Sequence, residues 1–273
     1  MTTIGVLQMT SGVNPEANLA VIENAAKQCA ERGALMLFTP EMSLLLDRDR
    51  ARAREWIESD APADMIERIS TIAAKQHLDI VVGSMPVPAG GGRWANRSYY
   101  FHPDLAPPVI YDKMHMFDVA LASGEAWRES AAYAPGEEVV TVEETPIGRL
   151  GLTICYDLRF PALFGALGDR RCDAIAVPAA FTRPTGAAHW HVMLRARAIE
   201  ASAFIIAAAQ VGKHEDGRET YGHSLVVDPW GEVLLDMGGD EPGLAFCEID
   251  HRRIAEVRAQ VPSLANRREI ARS

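Results

Sequence analysis

Apolar and polar positions in this chain fall into blocks of two kinds, short unbroken apolar runs and longer stretches with helical spacing. Ile4-Gly5-Val6-Leu7-Gln8-Met9 is of the first kind and predicts a strand. Asn14-Pro15-Glu16 then offers a side-chain cap and a first-turn proline, Leu19, Ile22 and Ala26 repeat at helical spacing, and Gly33 closes the helix. Residues 34–38 read as a buried strand, 47–58 and 61–76 as helices, and 79–84 as the next strand. Residues 88–92, with three consecutive glycines, predict a flexible loop ahead of strands at 97–102 and 109–111.

The alternation resumes in the second half. Gly148-Arg149-Leu150-Gly151-Leu152-Thr153-Ile154 is a strand that delivers Cys155 to a sharp turn before a helix. Residues 173–177 predict a strand, 186–202 a helix and 203–208 another strand, and Asp228-Pro229-Trp230-Gly231 turns a hairpin. Strand–helix–strand repetition with hairpins predicts an α/β protein with a mixed sheet system. The sequence has no low-complexity linker and no fixed-period repeat, so one domain over residues 1–273 is expected.

Composition narrows the function. The 273 residues are 48% hydrophobic and 23% charged, enough for a substantial core. A net charge of −10 with no basic run argues against nucleic acid as a partner, and an anionic substrate then requires a locally basic site. The most apolar stretch, 198–211, is too short for a membrane span and contains Glu200 and Ser202. Met1-Thr2-Thr3 leads directly into the first strand, so no signal peptide is expected. Cysteines at 29, 155, 172 and 247 have neither disulfide nor zinc spacing, and a reducing cytoplasm is the expected setting.

One of these cysteines is placed for chemistry. Cys155 is followed by Tyr156-Asp157-Leu158-Arg159-Phe160-Pro161, a turn with a nearby cation and a proline-marked helix start, surroundings that are expected to favour thiolate. Glu41, after Phe38-Thr39-Pro40, is a carboxylate just beyond a buried strand, where burial is expected to raise its pKa towards that of a general base. Lys113, in Asp112-Lys113-Met114-His115-Met116-Phe117, is an ammonium with apolar flanks, suited to stabilising a thiolate and an oxyanion. His115 is the alternative thiol partner. His189 and His191, at i and i+2, point to different faces of a helix and make a poor metal pair. Arg195 and Arg197 read as an ion-paired helix face.

The order Glu41, Lys113, Cys155 in these surroundings resembles the nitrilase (carbon–nitrogen hydrolase) superfamily, and the likeness runs from the first strand to Arg267-Arg268. It is most specific over 181–231, with Leu194-Arg195-Ala196-Arg197-Ala198-Ile199-Glu200 and Tyr221-Gly222-His223-Ser224, where it is similar to the Nit amidases. The resemblance implies a four-layer α-β-β-α sandwich, commonly a homodimer, and no cofactor or metal. It implies Glu41 as general base, Lys113 as oxyanion stabiliser, Cys155 as nucleophile, and Glu129 as the glutamate that orients lysine and substrate. Ala162, where relatives usually carry glutamate, and Cys172, where a small residue is common, depart from the pattern near the elbow.

The implied reaction is hydrolysis of a small carboxylate-bearing amide through a thioester, with deaminated glutathione as the expected substrate, α-ketoglutaramate as the alternative, and nitriles behind both. The Tyr156 N–H is expected in the oxyanion hole. Arg159, four residues after the nucleophile, is expected either to grip a substrate carboxylate or to pair structurally with Asp157 or another acid. Phe181, Thr182 and Thr185 are expected to shape the pocket. A thiol redox or binding protein on the same fold is the non-enzymatic alternative.

Overall fold

The computed structural model describes residues 1–120 and 126–268. In chain order the elements are β1 (Thr2–Gln8), α1 (Pro15–Arg32), β2 (Met36–Phe38), α2 (Arg50–Ile57), α3 (Ala61–Gln76), β3 (Asp79–Pro88), β4 (Trp94–Phe101), β5 (Val109–Asp112), β6 (Asp118–Ala120) and β7 (Ala126–Arg128). After these come β8 (Thr141–Thr145), β9 (Gly148–Leu152), α4 (Pro161–Asp169), β10 (Ala174–Ala176), α5 (Arg183–Ala201), β11 (Phe204–Ala207), β12 (Val211–Lys213) and β13 (Glu219–Tyr221). The chain finishes with β14 (Leu225–Val227), β15 (Val233–Asp236), β16 (Gly243–Ile249) and α6 (His251–Gln260).

Two six-stranded sheets form the centre, ordered β16-β1-β2-β3-β4-β5 and β15-β14-β11-β10-β9-β8. Pairing is parallel through β1-β2-β3 and through β9-β10-β11, and antiparallel outside those trios. Strand periodicity divides the side chains between layers. Ile4, Val6, Met36, Phe38 and Val81 join Leu150, Leu152 and Ala176 in the core between the sheets. Leu7, Leu37, Ile80 and Val82 turn the other way, against Leu19 and Ile22 of α1 and Ile69 and Ala73 of α3. On the second sheet, Phe164 and Leu167 of α4 and Leu194 and Ala198 of α5 complete the packing. The architecture is the four-layer α-β-β-α sandwich.

Several boundaries differ from the sequence reading. Asn14 caps α1 through its side chain, as expected, but α2 starts at Arg50 rather than 47 because Asp49 accepts from the N–H groups of Ala51 and Arg52. α5 begins at Arg183, three residues early, since Pro184 suits a first turn. β3 runs on to Pro88 and β4 starts at Trp94, so the glycine loop is the tip of a long hairpin. The small hairpins β6-β7 and β12-β13 have no strong apolar signal and were not anticipated.

Candidate active site

Glu41 sits on a turn that follows β2 and is fixed by β3. The Thr39 N–H donates to Val81 O, the Ser43 N–H to Ser84 O, and the Met42 N–H to the Ser84 hydroxyl. β3 carries a register shift between Val82 and Met85, where Gly83 passes so close that a Cβ there would meet the carbonyls of Thr39 and Pro40 and the ring of Pro178. The turn is therefore held between both sheets. Its carboxylate is 5% exposed and accepts from Lys113 Nζ (2.9 Å), Asn96 Nδ2 (2.9 Å) and the Ala180 N–H (2.9 Å). The Cys155 thiol donates to it as well.

Lys113 leaves the end of β5 with its N–H on Asn96 O, and its ammonium is 2% exposed. Besides Glu41 it reaches both oxygens of Glu129, at 3.0 and 2.9 Å. Glu129 also accepts from the Phe117 N–H, and Asn96 Nδ2 reaches Glu129 at 3.3 Å. One ammonium thus lies between two carboxylates, with the Asn96 amide spanning the pair.

Cys155 ends the strand–turn segment with φ +48°, a left-handed backbone that is uncommon for a side-chain-bearing residue and typical of sharp nucleophile turns. Its N–H donates to Pro178 O at 2.8 Å. The turn is braced from below by Asp157, fully buried, which accepts from the Ile154 N–H, the Tyr111 hydroxyl (2.6 Å) and the His115 N–H, and pairs with His115 Nδ1 at 2.7 Å. Arg197 of α5 adds a bond to Leu158 O while pairing with Glu200. Tyr156 follows the nucleophile directly, in the short 3-10 turn Cys155–Arg159, and lines the cavity.

The protonation states correct two sequence expectations. Burial does push the Glu41 carboxyl up, but the Lys113 ammonium, the Cys155 thiol and the Asn96 amide together hold it below the ordinary value of 4.5. The Cys155 thiol moves the other way. Burial and the negative Glu41 raise it well above 9.0, against the opposing pull of Lys113, so the resting site keeps the proton on sulfur. Lys113 stays charged despite burial, because Glu129 and Glu41 hold it well above 10.5. Burial is the main cause that raises the other thiols too, Cys29 and Cys172 to about 12 and Cys247 to about 11, but none of these three faces the cavity.

These groups face a cavity of about 460 Å³, within the range of small-molecule sites. Glu41, Lys113, Glu129, Cys155, Tyr156, Phe181, Thr182 and Thr185 all line it. Arg159 does not. Its guanidinium lies over the rings of Tyr156 and Phe181 and reaches His189 Nδ1 at 3.3 Å, and it makes no pair with Asp157, whose oxygens are taken by the elbow. His115 is likewise turned away from the thiol, stacked on Phe160 at 3.6 Å. The cavity draws its positive charge from Arg48, Arg50, Arg128 and Arg218 instead, with Arg48 and Arg218 both against the Trp127 ring. The sequence reading missed Asn96 and these arginines. Asn96 precedes the strand expected at 97–102 and stands beside Arg97 and Ser98, so no sequence signal marked it; only the fold buries it, near the start of β4.

A thiol touching a carboxylate, beside a buried ammonium, is equipped for nucleophilic attack with acid–base help. The family model described as carbon-nitrogen hydrolase matches residues 3–259. The deaminated glutathione amidase of Yersinia enterocolitica is 40% identical over 98% of this chain and 93% of its own. The Caenorhabditis elegans NitFhit protein superposes with TM-score 0.90 at 33% identity, over 98% of this chain, which spans 65% of that longer one. A Glu-to-Gln mutant of the amidase from Nesterenkonia sp. AN1, at TM-score 0.79 and 25% identity over 96% of this chain and 98% of that one, shows the result of Michael addition of acrylamide at its active-site cysteine. Sequence, fold and relatives agree: the chain belongs to the carbon–nitrogen hydrolases of the nitrilase superfamily, enzymes that cleave C–N bonds other than peptide bonds.

Proposed function

We propose that this enzyme is an amidase for a small carboxylate-bearing amide, with deaminated glutathione as substrate and 2-oxoglutarate and cysteinylglycine as products. The observation that carries the reading is the Glu41 carboxylate, which touches both the protonated Cys155 thiol and the Lys113 ammonium. Glu41 takes the thiol proton as sulfur attacks the amide carbon, and the developing oxyanion meets Lys113 and the Tyr156 N–H. Glu41 returns the proton to the departing nitrogen. It then deprotonates a water that cleaves the thioester, and sulfur regains its proton. Glu129 holds Lys113 in line through two contacts.

Two features support an anionic substrate in a protein of net charge −10: four arginines line the cavity, and Arg159 stands behind Phe181 and Tyr156 with no carboxylate partner among the described residues. The relatives named deaminated glutathione amidases point to the same compound. The test compares kcat/KM for deaminated glutathione, α-ketoglutaramate, a neutral aliphatic amide and a nitrile in wild type, Arg48→Ala and Arg159→Ala. Deaminated glutathione should lead, loss of Arg48 should narrow its advantage by about tenfold or more, and loss of Arg159, which lies outside the cavity, should narrow it less. Preference for the neutral amide, untouched by both substitutions, would refute carboxylate recognition and leave amidase chemistry standing.

The reading includes a cytoplasmic homodimer. It is supported by unpaired cysteines and by Val192, Ile199 and Trp230, exposed on and beside α5. Light scattering and fractionation test it.

A further inference from the structure

The sequence reading set aside His189 and His191 as a metal pair, and the two do part: His189 reaches Arg159, while His191 Nε2 lies 3.0 Å from Asp236 Oδ2. Asp236 ends β15, and its other oxygen is 2.9 Å from Nδ1 of His223, in the turn between β13 and β14. Two imidazoles and a carboxylate from three separate elements thus converge, all three donor atoms lying within 4.8 Å of one another. A tetrahedral zinc with ligands about 2.0–2.1 Å away separates its donors by roughly 3.3 Å, so the trio needs only small adjustment. The supports are already rigid. The His223 N–H donates to Gly238 O, its carbonyl accepts from Trp190 Nε1, and its ring stacks on Tyr221 at 4.4 Å. The Gly238 N–H steadies the Asp236 oxygen nearest His223.

We propose that His191, His223 and Asp236 form a binding site for a divalent transition-metal ion of the zinc type, separate from the catalytic cavity. Two imidazole nitrogens select such an ion over calcium or magnesium, which take oxygen donors. His191, His223 and Asp236 side chains are 36%, 24% and 34% exposed, which gives the ion a route in and a coordination position open to solvent. Binding leaves each imidazole with its proton on the ring nitrogen away from Asp236 and replaces two hydrogen bonds with three metal bonds. The ion clasps α5 to β15 and to the turn after β13. The first turn of α5 and β13 carry Thr185 and Thr220 of the cavity wall, so the clasp braces that wall from outside.

The experiment uses the full chain, stripped with chelator and titrated with Zn²⁺, and with Co²⁺ as a visible probe. One ion per chain should bind, with a Tm rise on the order of 5 °C at a hundredfold excess over Kd, and Co²⁺ should show tetrahedral d–d bands without a sulfur charge-transfer band. Cys155→Ala should keep all of this, while His191→Ala and Asp236→Asn should each lose it with basal amidase activity unchanged. Absence of stoichiometric binding at micromolar zinc would overturn the site. So would binding that survives His191→Ala and disappears in Cys155→Ala, which would place the ion on the nucleophile.

Discussion

The two sheets repeat one pairing pattern and contribute opposite kinds of chemistry. Read from β16 to β5, and from β8 to β15, each runs antiparallel, parallel, parallel, antiparallel, antiparallel. The first sheet supplies Glu41 beyond β2 and Lys113 beyond β5, with Asn96 inside β4, and Glu129 joins them from the turn after β7 of the small β6-β7 hairpin. The second supplies the thiol beyond β9 and the Ala180 N–H beyond β10, neither of them charged at rest. The Lys113 ammonium is therefore paired with the Glu41 and Glu129 carboxylates outside the presenting sheet before it meets the nucleophile, as buried ions require. Left-handed backbone occurs on both sides of the site, at Cys155 in the second half and at Met42 beside Glu41 in the first. One half is built for electrostatics and the other for presentation.

The largest effects separate those roles. Cys155→Ala should lower turnover by about 10⁴-fold or more and leave the Tm near wild type, since it removes one small neutral group. Lys113→Ala should also abolish turnover, but it leaves Glu41 and Glu129 buried as like charges, and a loss of about 3–5 kcal/mol is expected. Denaturant melts alongside kinetics check both. Equal stability losses in the two variants would contradict the division of labour.

Asn96→Ala comes next, with a roughly 10²-fold fall in kcat and a shift in pH dependence. In wild type Glu41 titrates below 4.5, so the acid limb of kcat/KM should lie below that pH. The amide N–H is one of the groups that lower it, so its removal should move the limb upward. The stability linkage has the same sign. A depressed carboxylate contributes stability that is complete above 4.5 and is lost as pH falls through its folded value, whereas Cys155, raised above 9.0, contributes stability that is complete below 9.0 and lost as pH rises. A wild-type acid limb near neutrality would contradict the assignment of Glu41 as the free base.

What was legible in the sequence follows this contrast. The presenting half was readable because a strand, a thiol and a proline-marked helix start lie within a dozen consecutive residues. Glu41 and Lys113 were singled out from their surroundings but brought together only by resemblance, and Glu129 came from resemblance alone, since their partners are remote: 72 positions separate Lys113 from Glu41, and 139 separate Glu41 from Ala180. Spacing along the chain says nothing of such contacts. The thiol's protonation was misjudged for the same reason. Nearby N–H groups and Arg159 argued for thiolate, while burial and a carboxylate from the other sheet decided for thiol. Asp157 was one alternative partner for Arg159, yet it anchors Tyr111 and His115 under the elbow, a role fixed only by the fold.

Gly83→Ala tests the seam where the halves touch. Its Cβ would press on the Thr39 and Pro40 carbonyls and on Pro178, so it should destabilise by about 1–3 kcal/mol and displace Glu41 relative to Cys155. A drop in kcat on the order of tenfold with KM little changed is expected. A stable variant with normal kcat would mean that the seam is more yielding than its geometry indicates.

Gly165→Ala gives the smallest effect, with the opposite sign. Gly165 lies inside α4, on the helical layer over the presenting sheet, and has no positive φ. A Cβ there would find only Arg267 Nη1 at 3.7 Å, an ordinary contact, and the Arg267 bond to the Gly165 carbonyl involves no side chain at position 165. Alanine restricts the unfolded chain and favours helix, so stability should rise by about 0.5–1 kcal/mol. Activity should not change, because the elbow beneath α4 is held by Asp157 and Arg197 rather than by the middle of the helix. A urea midpoint that rises with kcat/KM unaltered fits this picture; a fall in kcat would mean that α4 helps to set the strained turn at Cys155.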